Sequence, residues 1–571
     1  MQKGVPQIMD ITSIKSILHY LSKTIIPSKF ETAQQPEQNT IQICLRGVTK
    51  QTWLEISWQG DCARIIKIKK PERVGSESTL AKQLSHGLKY MALVRISQDN
   101  FERVIKLEFA KKPNDEISKY LIIELMGKHS NIFYLDKNFR IIAAGRQIKS
   151  NQSSFRTIST GSLYSSPPQT LKKSPCEKEN FETWAENIST VPKLLKDCLL
   201  ENYQGVSPML TTQIEYIANL KTKNLMNTNI DLITEKNLKE IFRIWKLWIF
   251  RFKNNIFYFS TFSHNFYCVW FSKNDISTTP QFDLADGLEN YYDYFLKLKK
   301  IEYLFLKLDG IIFKQQNINK KNCNEQIKLL NNAENHESFK TRADNIFLRT
   351  NINKASIIEA EKLYKKSKKL KRARKSIIER LAIYKNKLKR LDEFSNMLEN
   401  INSSSIESMQ TKIYLMEELR NELCSEFSIK IKTIRESKKS KDTKTSPIEI
   451  NSPGGITILI GRNMRQNDLI SFKLSKKGDL WFHAQESPGS HVVLKSSVKI
   501  ADEQDIQISA DIAAFFCKAK GNVKVPINLV KSKDLYKLNS GGLGCVSFKN
   551  MEIIWGNPKR GEDYIKSNPQ C

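Results

Sequence analysis

The chain has 571 residues, with 91 Lys and Arg against 60 Asp and Glu, a net charge of +31 at neutral pH. That length exceeds one hydrophobic core and predicts three or four domains. The cationic excess points to a polyanionic partner, nucleic acid before an anionic membrane, with a charged solubility surface as the alternative. Bilayer spans are excluded, since the most apolar run, Ile244 to Phe271, is broken by Lys246, Arg251 and Lys253, and reads as a buried helix followed by strands.

The ten cysteines are scattered without a CxxC pair, which argues for free thiols in a reducing compartment and against disulfides or a zinc set. No secretory signal is legible at Met1, and Met9 is a candidate true start. Abundant Asn, Lys and Ile fit an AT-rich genome such as an organelle's.

From the N-terminus, Ile11, Ile14, Ile17, Leu18 and Leu21 recur at helical spacing over Asp10 to Leu21. Ile41 to Leu45 and Trp53 to Trp58 alternate and predict a strand pair. Thr79 to Leu93 predicts a helix, and Arg103 to Phe109 and Tyr120 to Leu125 predict further strands. Together they predict an α+β domain over 9–170, closing near Gln169 past the Pro167-Pro168 break. Within it, IIELMGKHSNIFYLD (Ile122 to Asp136) reads as strand, tight turn at Gly127, strand, displaying Lys128, His129, Ser130 and Asn131. A basic, hydroxyl-bearing turn suits a phosphate contact, and an ordinary hairpin is the plainer reading.

Residues 171–235 predict a helical domain. In LLENYQGVSPMLTTQI (Leu199 to Ile214), Gly205 opens a hairpin, Ser207 is an N-cap and Pro208 takes the first helical position. A helix-hairpin-helix of this kind grips a sugar-phosphate backbone; a plain helical turn is the alternative. Residues 236–445 predict a helical region, with helices over Tyr291 to Asn332 and Ala355 to Ser428. Leu363, Leu370, Ile377, Tyr384 and Leu391 recur every seventh position, with Leu381 and Leu388 partly filling a second seam. This predicts an antiparallel coiled-coil arm over about 291–428, its tip in 334–354 or around Asn402 to Ser405. Outside the seam, Lys365, Lys366, Lys368, Lys369, Lys371, Arg372, Arg374 and Lys375 form a basic run. Such a run is either a solvated face or, at this density of one sign, a contact for RNA. ESKKSKDTKT (Glu436 to Thr445) is a charged linker without apolar anchors.

The last predicted domain, 446–560, is a compact α/β unit. Ile456 to Ile460, Ile470 to Leu474, Val523 to Val530 and Cys545 to Trp555 predict strands, and Asp505 to Lys520 a helix. Its informative stretch is DLWFHAQESPGSHVVLK (Asp479 to Lys495), two alternating runs joined at Pro488-Gly489. Trp481, His483, His491 and Lys495 fall on one face, suited to stacked bases and phosphates. A zinc site is a weak rival, because two His lack further ligands. A satisfied hairpin with Trp in the core and structural His is equally open. Arg462, Asn463, Arg465 and Gln466, in GRNMRQND just upstream, complete the candidate RNA contacts. No Walker loop, G-x-S-x-G or metal cluster is present, so no catalytic residue, metal or cofactor is expected.

These segments resemble the NFACT family, which holds bacterial ribosome quality control factors once called fibronectin-binding protein A-like, and their eukaryotic relatives. DLWFHAQESPGSHVVLK and GRNMRQND resemble its C-terminal RNA-binding domain. ELMGKHSN (Glu124 to Asn131), NFERVIKLEFA (Asn100 to Ala110) and QSSFRTISTGSLYSSPP (Gln152 to Pro168) resemble its N-terminal domain, closest in flavour to the cyanobacterial and plastid branch. The resemblance implies a multidomain α+β protein with an N-terminal α+β domain, a helix-hairpin-helix domain, an antiparallel coiled-coil arm reaching across the large ribosomal subunit, and a C-terminal α/β RNA-binding domain. It implies tRNA engagement by Glu102, Arg103, Glu124, Leu125, Met126, Lys128 and His129; the family's usual Asp-Arg pair is here Glu102-Arg103. The implied partners are the large subunit's rRNA, tRNA (alanyl in the bacterial branch) and a peptidyl-tRNA-obstructed nascent chain, with no membrane. The implied role is template-free C-terminal tailing without covalent chemistry by the protein itself, in the cytoplasm or, if organelle-encoded, the plastid stroma. The N-terminal domain of the family is similar in fold to a DNA-repair glycosylase domain, but Met1-Gln2-Lys3 offers neither the Pro nor the Glu that base excision needs. A generic RNA-binding module and a surface fibronectin-binding adhesin are the alternatives.

Overall fold

The computed structural model describes residues 6–73, 78–99, 101–148, 156–168, 171–218, 224–262, 266–271, 283–348, 354–430, 445–537 and 542–568. Met1 to Lys3, Asn100, Gln152 to Phe155, Gln169 and the expected linker up to residue 444 therefore lie outside the described residues. The chain divides into two compact units at Leu296 and Lys297.

The first unit opens with α1 (Ile11–Ile25). Asp10 caps it, accepting from the Ser13 amide at 2.9 Å and the Ser13 hydroxyl at 2.7 Å. The stripe Ile11, Ile14, Ile17, Leu18 and Leu21 is buried, as its spacing predicts. Next come β1 (Ser28–Glu37), β2 (Thr40–Arg46), β3 (Gln51–Ser57), β4 (Arg64–Ile68), α2 (Thr79–Gly87), β5 (Ala92–Gln98), β6 (Val104–Ala110), β7 (Ile117–Glu124), β8 (Asn131–Asp136) and β9 (Ile141–Ala144). The strands form one antiparallel sheet, ordered β4-β3-β2-β1-β5-β6-β7-β8-β9.

Two expectations change here. The helix predicted to Leu93 stops at Gly87, because Tyr90 turns into the left-handed region (φ +66°) and Ala92 and Leu93 join β5. Polar β1, unanticipated, sits in the middle of the sheet, where Gln34 Nε2 donates to Gln42 Oε1 at 2.8 Å.

The helical part of this unit is α3 (Phe181–Ser189), α4 (Leu195–Asn202), α5 (Pro208–Ile217) and α6 (Glu235–Lys253), followed by the small pair β10 (Ser260–Phe262) and β11 (Phe266–Cys268). The expected hairpin joins α4 to α5: Gly205 has φ +76°, Ser207 caps through the Leu210 amide, and Pro208 starts the helix. All four helices and β11 share one apolar core built around Trp184, Trp245, Trp248 and Trp270.

α7 (Leu284–Glu334) begins in the first unit, where the Tyr291 hydroxyl accepts from the Gln7 amide at 3.0 Å. From Lys297 it belongs to the second unit with α8 (His336–Phe347), α9 (Lys354–Ser403) and α10 (Met409–Glu426). α7 and α8 run antiparallel to α9: Gln316 bonds Asp392 at 2.8 Å, and Ser367 bonds the His336 carbonyl at 2.7 Å. The chain reverses between α8 and α9, within the expected 334–354. Ile377 and Leu391 are buried and Leu363, Leu370 and Tyr384 half-buried, so the seven-residue stripe is the packed edge of α9. The helix predicted from Ala355 to Ser428 is broken after Ser403, where a serine-rich stretch competes for backbone hydrogen bonds and Ser408 caps α10.

β12 (Ile448–Asn451), β13 (Thr457–Ile460), α11 (Met464–Leu469), β14 (Leu480–Ala484), β15 (Val492–Leu494), α12 (Glu503–Phe515), β16 (Val525–Lys531), β17 (Leu535–Tyr536), β18 (Ser547–Phe548), β19 (Glu552–Gly556) and α13 (Pro558–Ser567) complete the second unit. Their main sheet is antiparallel, ordered β12-β13-β15-β14-β16-β19. Phe482, Ala484, Val492 and Leu494 face a core shared with Ile508, Ile512 and Ala513 of α12. Trp481, Val493 and Val530 face the other way, against Ile470, Leu535 and Phe548. Ile470 to Leu474, predicted as a strand, is helical, because it continues α11 and packs Ile470 under Trp481. α12 stops at Phe515 rather than Lys520.

Arg390 of α9 fastens the helices to this domain. It bonds Glu426 of α10 at 2.7 Å and 2.8 Å, and the Leu543 carbonyl at 2.8 Å. Among the described residues no helix is long and apolar enough to cross a membrane, and the nine described cysteines are free thiols.

Candidate nucleic-acid-binding cleft

Arg103 precedes β6 and Glu124 ends β7. The two strands pair so that Val104 faces Glu124, and the Leu125 amide donates to the Arg103 carbonyl at 3.0 Å. This register brings Glu102, Arg103, Glu124, Met126 and His129 to the rim of one cleft of about 600 Å³. Asp10 at the start of α1 and the hairpin Gly205 to Pro208 close it, with Pro167 and Pro168 alongside. Segments distant in the chain, each singled out from sequence, thus meet at one place. Leu125 is fully buried in the sheet, and Lys128 is exposed beside the cleft.

The carboxylates here are already engaged. Glu124, buried, accepts from Arg156 Nη2 and from the Tyr164 hydroxyl at 2.8 Å. Burial pushes its carboxyl above the usual range, and Arg156 and then Tyr164 draw it back. Glu102 Oε1 accepts from Gln204 Nε2 at 2.6 Å, and Asp10 Oδ2 accepts from the Ser207 hydroxyl at 3.2 Å. Arg103 is different. Its guanidinium makes no hydrogen bond or ion pair among the described residues, and burial lowers its pKa against the pull of Asp10 and Glu102. Five N–H donors held in a cleft without a partner suit a phosphate or a base edge.

Arg156, Tyr164, Asp10, Gln204 and Ser207 were not among the predicted site residues. Arg156 lies 32 positions from Glu124, so the pairing has no local signature. The N-cap signal at Ser207 was legible; its contact with Asp10 was not.

In the C-terminal domain the expected shared face exists. The Trp481 ring centroid lies 5.7 Å from His483 and 5.0 Å from His491. Trp481 and His491 are nevertheless turned inward, 1% and 4% exposed. The Ser471 hydroxyl ties them together, 3.0 Å from Trp481 Nε1 and 2.8 Å from His491 Nδ1. Burial pushes His483 down to about 4 and His491 well below its ordinary value, so both rings are neutral at pH 7. For these side chains the satisfied hairpin describes the geometry. Lys495 is held by buried Asp479 at 2.5 Å.

GRNMRQND is a joint with the helices. Arg462 pairs with Glu407 at 2.6 Å, Arg465 with Glu418 at 3.2 Å, and Asn463 Nδ2 donates to Glu418 at 2.8 Å. Asn463 and Gln466 are buried, and Gln466 Nε2 donates to the Thr445 hydroxyl at 2.8 Å. The acidic partners come from a segment far earlier in the chain, so the basic spelling of the loop read as an open surface.

On α9, Lys365, Lys366, Lys368, Lys369, Lys371, Arg372, Arg374 and Lys375 are all exposed and form no ion pair among the described residues. Lys366 lies over the Phe339 ring at 4.1 Å. Among the described residues no three His, Cys, Asp or Glu side chains converge to hold a metal ion.

Comparison with known proteins places two matches on this frame. The NFACT N-terminal and middle domains match residues 10–356, and the NFACT protein RNA binding domain matches residues 448–550. The chain is 24% identical over 570 residues to the Rqc2 homolog RqcH of Bacillus subtilis (strain 168), covering 95% of this chain and 96% of that protein. It is 27% identical over 495 residues to the Rqc2 homolog RqcH of Streptococcus suis (strain 05ZYH33), covering 81% and 82%. Among solved structures, the C-terminal part of the fibronectin/fibrinogen-binding protein from Streptococcus suis aligns with a TM-score of 0.40 and 26% identity, covering 48% of this chain and 99% of that one.

Proposed function

The chain belongs to the NFACT family, and from that premise we propose that it is a ribosome-associated quality control factor. It binds a large ribosomal subunit obstructed by peptidyl-tRNA. It recruits aminoacyl-tRNA, alanyl-tRNA in the first instance, and promotes template-free C-terminal tailing of the stalled chain. The observation that carries this reading is the Arg103 guanidinium, without a hydrogen-bond or ion-pair partner among the described residues, in a cleft whose carboxylates already have donors. Near full-length similarity to proteins named Rqc2 homolog RqcH supports the ribosomal setting. The exposed basic run on α9 supports contact with rRNA.

The protein's part is binding and positioning, and the peptide bond is left to the ribosome. No metal or cofactor enters the scheme. Its free thiols suit a reducing compartment that contains ribosomes, the cytoplasm or the plastid stroma. A second reading, RNA binding without tailing, is favoured by Glu102, whose carboxylate is drawn to Gln204.

The deciding experiment is co-sedimentation with large subunits followed by sequencing of the bound tRNA. Enriched alanine tRNA is the expected result. Ribosome binding with no tRNA selects the second reading, and no ribosome binding removes both.

A further inference from the structure

Phe101 lines the cleft around Arg103 and also a second one, of about 400 Å³. Its walls are α1, the end of β5 and the last turn of α6. The Phe101 and Phe252 rings stack with centroids 4.9 Å apart, and Lys15 Nζ stands 4.1 Å over Phe252. His19 and Lys253 also line the cleft, and among the described residues no carboxylate does. None of the side chains of Lys15, His19 and Lys253 forms a hydrogen bond or ion pair among the described residues. The nearest acids in sequence are occupied: Asp99 is paired with Lys106 at 2.8 Å, and Glu102 accepts from Gln204.

The cost of this crowding is visible in the groups themselves. Burial and then Lys253 lower the Lys15 pKa; burial, then Lys23 and Lys15, lower that of His19. An anion would relieve the repulsion, and stacked aromatic rings beside it would receive a sugar or a base.

We propose that this cleft binds a phosphate group, with Lys15 and Lys253 supplying charge, His19 an N–H, and Phe101 and Phe252 an apolar wall. The phosphate belongs either to an RNA backbone or to a free nucleotide. Because Phe101 walls both clefts, an RNA strand lying against Arg103 is the expected source, and that arm rests on the RNA-binding reading above.

The test follows tRNA binding by the full chain through a salt series, together with the His19 imidazole resonances. Lys253→Gln removes an exposed charge, and Lys15→Gln/Lys253→Gln removes two. If RNA phosphates occupy the cleft, tRNA raises the His19 pKa. Each lost contact then flattens the slope of log affinity against log salt by roughly 0.7, as for single strands. If the source is a free nucleotide, ADP or pyrophosphate raises the His19 pKa in the wild type and not in the double variant, while the tRNA slope stays put. Lys15→Arg, which keeps the charge, retains the response in either arm. A His19 pKa that ignores tRNA, ADP and pyrophosphate alike overturns the site. Should wild-type protein bind no tRNA at all, the Arg103 reading fails, and the ADP and pyrophosphate arms still decide this one.

Discussion

One nitrogen of Arg156, Nη2, lies 2.8 Å from Oε1 and 2.9 Å from Oε2 of Glu124, whose side chain is 3% exposed. The pair anchors the segment after β9 to the end of β7, beside the cleft. Arg156→Ala leaves a carboxylate buried without its cation. The expected loss is about 3–5 kcal/mol of unfolding free energy, because the remaining charge is stranded in low dielectric. Urea unfolding at pH 7 measures it, and a loss under about 1 kcal/mol would mean that solvent screens the pair.

Arg103→Ala separates binding from stability. The half-buried side chain loses packing but no hydrogen bond or ion pair among the described residues, so unfolding shifts by no more than about 1 kcal/mol. A charge-assisted bond to a phosphate or base is worth about 1.5–3 kcal/mol, so tRNA affinity falls by roughly tenfold or more. Large-subunit binding is unchanged. Filter binding and sedimentation read the two activities, and a joint loss would refute the division of labour.

Trp481→Ala tests the inward placement of the indole. Removing a core aromatic costs about 3–5 kcal/mol, so the C-terminal domain unfolds at markedly lower urea. An indole serving only as an RNA platform would instead leave stability intact and weaken RNA binding.

Glu422 gives a pH signature. It accepts from the Met464 and Arg465 amides, each at 3.1 Å, and burial pushes its carboxyl up to about 7. The folded state therefore holds this proton more tightly than the unfolded chain. Stability from this group is present below the ordinary value of 4.5 and is lost as pH rises towards 7. Relative to wild type, Glu422→Gln gains roughly 3 kcal/mol in stability between pH 4 and pH 8, at 1.36 kcal/mol per unit. Urea midpoints across that range decide it, and a constant difference would contradict the raised value.

Neutralising Lys365, Lys368, Lys369 and Arg372 should flatten the salt dependence of subunit binding. Each true phosphate contact removed lowers the slope by up to about 0.9. An unaltered slope assigns the run to solvent.

What the sequence made legible was periodic or local. The stripe of α1, the seven-residue seam of α9 and the Gly205-Ser207-Pro208 hairpin each carry their signal within a few residues. So does the Gly127 turn. β1 was missed because its buried Gln34 finds partners on other segments, the Gln42 side chain of β2 and the Glu72 carbonyl, which an apolar alternation cannot announce. The cleft was half visible. Glu102, Arg103, Glu124, Met126 and His129 were marked, yet Asp10 and Arg156 join them only through long-range pairing. The C-terminal candidates show the reverse. Asn463, Gln466, Trp481 and His491 look like surface chemistry when written in a line, and become interior chemistry once α10, Thr445 and Ser471 supply their partners.

Arg390 joins α9, α10 and the Leu543 carbonyl through one guanidinium. Losing that one side chain would therefore release α9 from α10 and from the loop ahead of β18 in a single step.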